Sequence, residues 1–588
     1  MRRQQGFQLV QQRVGSPMPE IRWPLAIIAS GLAWTSANAQ LEIRGIDGEL
    51  ERNVRAFASI AAEACDASPW LLRRRFRELG KETRKALEPF GHYAPTVSTE
   101  LSFGETCWLA TLTVDPGEPV RYRGIDFNVL GEAADDPVFD AGAVLPTTGD
   151  ILRHADYEAL KRFLQVRAAD RGYLDAQFVE NRLDVWPEEG AVDVTLNFDS
   201  GSRYRIRDVI YEQSFLDPQI VDAYIDLEAG STYDSEDLAR AYNDLSDSAY
   251  FGRVDVVADV DAADNGTVPI RISLEPGTRI EYTVGAGAST DTGPRFRTGF
   301  RNNRINRRGH RLLADFGGSE VIQGISTEYR IPLADPRKEW FSFTGLYVNE
   351  DNDTFESTIQ RLGLRWTKAM GSRWLRTLSL DFDRESFTVA ETTDTTRFVV
   401  PGIAFDQKIS DRDLFPGKGR RLNVELRGTD ESIGSTTAYL QARARGTLIR
   451  SLGDSNRFLL RVDAGWTEAS DFSQLPPSVR FFAGGDDSVR GFDYESLGPV
   501  DDDGNVVGGE YLLVGSFEYE RHLRGNFYGA VFVDTGNAFN GDEPDLQTGA
   551  GLGLKWRSPL GPIRFYIGYP VSDDDGSVRF HLRLGADL

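Results

Sequence analysis

The sequence predicts an α+β N-terminal region of three βααββ repeats followed by a 16-stranded antiparallel transmembrane β-barrel. Three observations predict it. A weak internal repeat with a period of roughly 80 residues runs through the first half. From Ile280 onward, helical periodicity gives way to two-residue alternation of apolar and charged side chains. Segments with that alternation come to sixteen, an even number, as a closed bacterial barrel prefers. The 588 residues include 90 acidic and 66 basic side chains, a net charge of -24. That balance argues against nucleic acid as a partner, because phosphate binding wants clustered Lys and Arg. Mean hydropathy is negative, which counts against a helical membrane protein. It leaves a barrel open, since a barrel alternates an apolar exterior with a polar lumen.

The elements follow in chain order. Residues 1–39 read as an export signal: Arg22, an apolar stretch from Leu25 to Trp34, then Ala37-Asn38-Ala39 as a cleavage site, with Met18 a candidate start. Gln40 then begins the mature chain. Cys65 and Cys107 are the two cysteines. They are a disulfide candidate, with two buried thiols as the alternative, and an exported setting favours the bridge. Closing that loop stabilises by roughly 4 kcal/mol in the chain-entropy account.

Three repeats are expected over 40–120, 121–203 and 204–278. Each ends in a strand and a small turn: TLTVDPG at 111–117, TLNFDSG at 195–201, RISLEPG at 271–277. Before each, a helix-like stretch closes beside an aromatic residue, and Tyr93, Tyr173 and Tyr250 stand 80 and 77 residues apart. In the second repeat Leu160, Phe163, Leu164 and Ala168 fall at helical spacing.

Residues 279–588 make the expected barrel. Phe458, Leu460, Val462, Ala464 and Trp466 share one face, and Arg457, Arg461 and Asp463 the other. Val578, Phe580, Leu582 and Leu584 oppose Arg579, His581 and Arg583 in the last segment. Strands are expected from about 280, 294, 309, 320, 338, 355, 373, 396, 419, 435, 456, 509, 525, 548, 562 and 577. Tyr511, Tyr519, Phe527 and Tyr569 sit where an aromatic girdle belongs. A β-sandwich also alternates, but does not explain so many long strands in one run.

The long interruption between about 469 and 508 carries RFFAGGDDSVRGF, Arg480 to Phe492. This stretch resembles the sixth-loop signature of the outer-membrane-protein-assembly superfamily, with its BamA- and TamA-type members. The three preceding repeats resemble POTRA domains. Their number, the loop wording and the ending Leu584 to Leu588 resemble the TamA type, although many such barrels end in Phe. The resemblance implies that Val489, Arg490, Gly491 and Phe492 form the loop motif. It further implies that Arg490 pairs in the lumen with Glu518 and Asp534. Alternation places both acids lumenally, since Glu518 opposes Phe517 and Tyr519, and Asp534 opposes Val531 and Val533.

The resemblance implies an outer-membrane insertase that assembles β-barrel proteins such as autotransporters, with the repeats in the periplasm of a Gram-negative cell. Its lateral gate would lie between the first and last barrel strands, at Tyr282, Gly285 and Gly287 and at Phe580, Leu582 and Leu584. It implies three partners: a TamB-like inner-membrane-anchored protein, unfolded outer-membrane proteins and outer-membrane lipid. The alternatives are a BamA-like or two-partner-secretion-like polypeptide transporter, or a lipid conduit with a TamB-like partner. A secretion transporter usually carries two repeats and a plug helix. Enzymatic chemistry, a cofactor and a metal are not expected. The five histidines are scattered, and neither metalloprotease, phosphate-loop nor nucleophile-elbow spacing is present. Acidic runs at 501–503 and 573–575 read as solvated loop tips.

Overall fold

A computed structural model describes residues 41–412, 415–541, 543–558, 561–573 and 576–584. The export segment, the C-terminal ending after Leu584, and residues 574 and 575 of the second acidic run lie outside the described residues.

The first repeat comprises β1 (Leu41–Arg44), α1 (Gly48–Phe57), α2 (Pro69–Leu87), β2 (Thr96–Phe103) and β3 (Trp108–Asp115). Its sheet order is β1-β3-β2, with β1 parallel and β2 antiparallel to the central strand. Strict alternation on β3 buries Trp108, Ala110, Leu112 and Val114 against Leu72, Leu79 and Leu87 of α2. Ser68 caps α2 by accepting Leu71 N, and Pro69 occupies the first turn, where a missing N–H costs nothing. Cys65 and Cys107 are joined by a disulfide, with Cα atoms 4.5 Å apart. Tyr93 hydrogen-bonds His154 Nε2 at 2.6 Å, and burial pushes the phenol up to about 12.

The second repeat has β4 (Arg121–Leu130), α3 (His154–Arg171), β5 (Gln177–Trp186) and β6 (Ala191–Asp199), in sheet order β4-β6-β5. Here short turns replace the first helix. Gly131, Pro137, Gly142, Pro146 and Gly149 interrupt 131–153 too often for α-helix to propagate. The third repeat has β7 (Arg205–Glu212), a one-turn α4 (Pro218–Asp222), α5 (Ser235–Ser246), β8 (Phe251–Ala258) and β9 (Thr267–Pro276), ordered β7-β9-β8. Its core joins Ile206, Leu238, Leu245, Val268, Ile270 and Ile272. It meets the barrel directly: Tyr250 donates to Gly309 O at 2.6 Å, Arg311 stacks 4.2 Å over the Tyr250 ring, and Arg337 pairs with Asp244.

The barrel is one 16-stranded sheet in sequence order. It opens with β10 (Ile280–Ser289), β11 (Gly293–Asn302), β12 (Arg311–Gly318), β13 (Ile322–Pro332), β14 (Glu339–Asp351), β15 (Phe355–Met370), β16 (Trp374–Val389) and β17 (Thr392–Ser410). It continues with β18 (Lys418–Thr429), β19 (Tyr439–Leu452), β20 (Asn456–Ala469), β21 (Tyr511–Arg524), β22 (Phe527–Phe539), β23 (Gln547–Ser558), β24 (Gly561–Pro570) and β25 (Arg579–Leu584). Every strand begins within about four residues of its expected position, because each turn resets a two-residue period that the eye can follow. Apolar residues alternate outward: Val284, Leu362, Leu552 and Phe580 are more than half exposed on the outer wall. Girdle rings pair across strands, Tyr511 on Phe539 and Phe527 on Trp556. Among the described residues, no helix is long and apolar enough to cross a membrane.

Strand length varies around the wall. β15, β16 and β17 have 16, 16 and 19 residues, whereas β12 has 8 and β25 has 6. Odd-numbered connections within the barrel lie at the rim away from the third repeat, called here the far rim.

Candidate functional site: the lumenal loop and the barrel seam

The connection from β20 to β21 does not leave the barrel. It folds back from the far rim and seats in the lumen through three apolar clusters. Phe481, Ala483, Val489 and Phe492 pack with Leu512, Val514 and Ala538. Leu475 and Val479 meet Phe398, Val400 and Tyr439. Phe482 and Val507 pack on Phe355, Phe387 and Val389. Arg480 stitches the loop to itself, donating to Leu475 O, Ser473 O and Val507 O at 2.6, 2.8 and 2.9 Å.

At the loop tip, Arg490 is 2% exposed and enters a cage of carboxylates and rings. Its Nε and Nη2 donate to the two oxygens of Asp534 at 2.7 and 2.9 Å, and Nη1 donates to Glu518 Oε2 at 2.7 Å. The backbone N–H of Arg490 also donates to Asp534, at 3.1 Å. The guanidinium lies 3.6 Å from the Phe532 ring centre and 4.6 Å from that of Tyr566. A planar fork suits this two-carboxylate arrangement, and the flanking rings add cation–π attraction.

The loop can approach this closely because its neighbours lack side chains. A Cβ on Gly549 would lie 1.8 Å from Arg490 O. Gly491 has φ +104, a conformation that side chains resist, and its own Cβ would press on the Pro570 and Tyr569 backbone at about 3.1 Å. Gly549 and Gly568 thus form a notch for the loop backbone, while Gly551 and Gly553 make room for the rings of Phe532 and Tyr566.

Several members of this site escaped the sequence reading. Lys555, 1% exposed, bridges Glu518 at 2.8 Å and Glu520. Tyr566 donates to Glu518 Oε1 at 2.9 Å. Arg457 pairs with Glu520 at 2.8 Å, donates to Pro416 O at 2.8 Å, and stacks 4.5 Å over Phe415. A ladder of alternating charge therefore runs down the lumen: Asp534, Arg490, Glu518, Lys555, Glu520, Arg457. It links the far-rim loop to the turn between β17 and β18 at the opposite rim. The available signal was parity, since Lys555 opposes Leu554 and Trp556 and so had to face inward.

The other half of the site is the seam. Within the described residues, β10 pairs only with β11, and β25 only with β24. What joins the two ends is side chains. Arg295 donates to Leu584 O at 3.1 Å, and Leu582 N donates to Thr290 Oγ1 at 3.4 Å. Tyr282 meets Phe300 with tilted rings and Phe580 stacks on Phe565, each within its own side of the seam. A Cβ on Gly285 would meet nothing within 4 Å, while one on Gly287 would meet Arg295 at 3.1 Å.

Loop and seam meet at Asp486. Its backbone N–H donates to Asp291 at 2.6 Å, its carboxylate accepts from Ser289 at 2.7 Å, and its other oxygen bonds His581 Nδ1 on β25. Gly491 N donates to His581 Nε2 at 3.0 Å. That nitrogen must then be bare, so the ring proton sits on Nδ1 and goes to Asp486. Asp291, Asp486 and His581 converge closely enough to suggest a cation site. The bond from Gly491 leaves no free ring nitrogen, and the trio reads as hydrogen-bonded rather than metal-binding. Asp493 and Asp487, also on the loop, pair with Arg579 and Arg583 of β25. A lumenal cavity of about 920 Å³ lies beside these contacts, lined in part by Arg295, Asp315, Tyr494 and Arg583.

Three small α+β sheets, a 16-stranded barrel and an arginine-tipped loop seated in its lumen define a class of outer-membrane barrel. Residues 323–587 match the Omp85 superfamily domain, and residues 40–116 match the first POTRA domain of TamA. The chain thus carries an Omp85 superfamily domain behind a TamA-type first POTRA domain, and is BamA/TamA-like. It is 22% identical over 459 residues to the outer membrane protein assembly factor BamA of Nitratidesulfovibrio vulgaris. That alignment covers 71% of this chain and 55% of the relative, so the chain spans about half of that protein's length. It is 30% identical over 141 residues to the chloroplastic outer envelope protein 80 of Arabidopsis thaliana, covering 22% of this chain and 17% of the other. In three dimensions it is similar to BamA from Haemophilus ducreyi lacking POTRA domains 1–3. The TM-score is 0.68 at 16% identity, covering 79% of this chain and 99% of that one, a likeness of fold.

Proposed function

We propose that this protein is an outer-membrane insertase that assembles β-barrel substrates by parting the seam between β10 and β25. The observation that carries the reading is the seam itself, which among the described residues is held by side chains and by the loop around Asp486 rather than by a strand ladder. A parted β10 would present unpaired backbone N–H and C=O groups, on which an incoming strand can template by β-augmentation. The weak side-chain packing of Gly285 lowers the cost of parting. No covalent bond is made or broken in this activity.

In this reading residues 1–39 direct export, and the three POTRA repeats stand in the periplasm. They receive unfolded outer-membrane proteins, autotransporters among them, and dock a TamB-like partner anchored in the inner membrane. Three N-terminal sheets, and a lumen occupied by a strand-connecting loop, support this reading over a secretion pore with two repeats and a plug helix.

The test is a disulfide across the seam between Thr290→Cys and Leu582→Cys, whose parent residues touch. In liposomes, the oxidised variant is expected to stop inserting an autotransporter barrel and to recover on reduction. Full insertion while the seam is locked would refute the gate.

A further inference from the structure

The outer wall from β13 to β17 changes character between two adjacent rows. In one row Thr327, Gly345, Leu362, Phe382 and Val399 stand side by side across the five strands. In the next row toward the far rim the sequence is Ile325, Tyr347, Gln360, Arg384 and Arg397. Arg384 shares the face of Leu380 and Phe382, the lipid side. The intervening Glu385 points inward and bonds Ser478 of the lumenal loop. On β15 to β17 the upper edge of the apolar band therefore runs between these rows, while Ile325 and Tyr347 extend it on β13 and β14.

Arg384 and Arg397 are exact cross-strand partners. Directly opposed residues hold their Cβ atoms about 5 Å apart, and like charges so placed repel. Among the described residues, neither side chain has an ion pair or hydrogen bond. Two arginines that repel each other at the edge of an apolar band call for an anion from outside the chain.

Directly below them the wall is indented. Gly345 leaves a gap in a row of large side chains, and a groove of about 660 Å³ opens there between Ile325, Tyr347, Leu362 and Phe382. The groove and the arginines are contiguous, so one ligand with an apolar chain and an anionic head can fill both.

We propose that this groove holds an acyl chain of a phosphate-bearing lipid from the leaflet at the far rim, with its phosphate bridging Arg384 and Arg397. Guanidinium forks bind phosphate oxygens bidentately, and one phosphate between them turns mutual repulsion into shared attraction. The chain covers Leu362, 68% exposed, and the notch above Gly345. The site lies away from the seam and does not depend on the insertase reading.

The experiment uses the full chain in neutral detergent, offered phosphatidic acid and phosphatidylcholine in equal amounts, with retained lipid counted by native mass spectrometry. The wild type is expected to keep phosphatidic acid in preference. The double variant R384Q/R397Q should lose that preference by roughly 30-fold, as expected for two basic residues facing anionic lipid. Gly345→Leu fills the notch while leaving both arginines, and should also lose retention. The heat-dependent gel shift of a closed barrel checks that each variant is folded. Undiminished retention in folded R384Q/R397Q overturns the proposal. So does a wild type whose lipid is displaced by inorganic phosphate while Gly345→Leu binds normally, because that pattern marks a free-anion site.

Discussion

Replacing Arg490 with Met isolates what seats the lumenal loop. Met keeps much of the length and apolar bulk but deletes three hydrogen bonds to carboxylates and a longer one to Ser516 Oγ. The two acids then differ. Glu518 keeps Lys555 and Tyr566. Asp534, with a fully buried side chain, loses its cation partner and retains a backbone amide. Breaking a buried pair from one side costs about 3–5 kcal/mol, mostly through the stranded charge. If the loop can lift, its lifted population should rise by roughly two to four orders of magnitude. Hydrogen–deuterium exchange of amides 480–492 in detergent reads that population. A second substitution, Asp534→Asn, removes the stranded charge, so the double variant should exchange more slowly than Arg490→Met alone. Unchanged exchange in Arg490→Met, or a double variant as fast as the single, would refute the reasoning.

Three further outcomes are expected. Lys555→Met leaves Glu518 and Glu520 without their shared cation and should destabilise the barrel by about 3 kcal/mol, partly regained by adding Glu518→Gln, which leaves Asp534 paired with Arg490 and Glu520 with Arg457; the temperature of the heat-dependent gel shift measures both. Gly549→Ala places a methyl where Arg490 O now lies and should accelerate exchange across 486–492 while leaving POTRA amides unaffected. Replacing Cys65 and Cys107 with Ser should cost the first repeat about 2–4 kcal/mol. Denaturation followed by the fluorescence of buried Trp108 tests this, and an unchanged midpoint would count against it.

What the sequence made legible follows from periodicity. Phe458 to Trp466 declare an outer face by spacing alone, so strands, faces and the lumenal position of Glu518 and Asp534 were all readable. The second repeat shows the limit: βααββ was expected, yet five glycines and prolines over 131–153 left turns where a helix stood in the first repeat. The pairing of Arg490 with Glu518 and Asp534 came through the resemblance of the loop motif; other pairings between distant barrel elements were beyond reach for another reason. Parity puts Lys555 inside the barrel, but nothing local says that it faces Glu518 and Glu520. Asp486 and Ser289 are 197 residues apart, and their contact exists only once sixteen strands have closed. Arg384 and Arg397 look like two ordinary surface charges until the register sets them face to face.

Because Asp486 grips Ser289 and Asp291 on one flank and His581 on the other, loop seating and seam separation are thermodynamically linked. Whatever free energy a seated loop adds to the joined seam, a joined seam returns to the seated loop. A substrate that favours the parted state would thereby loosen Arg490 some distance away. The occupancy of the arginine cage would then report, from inside the lumen, whether the wall is joined.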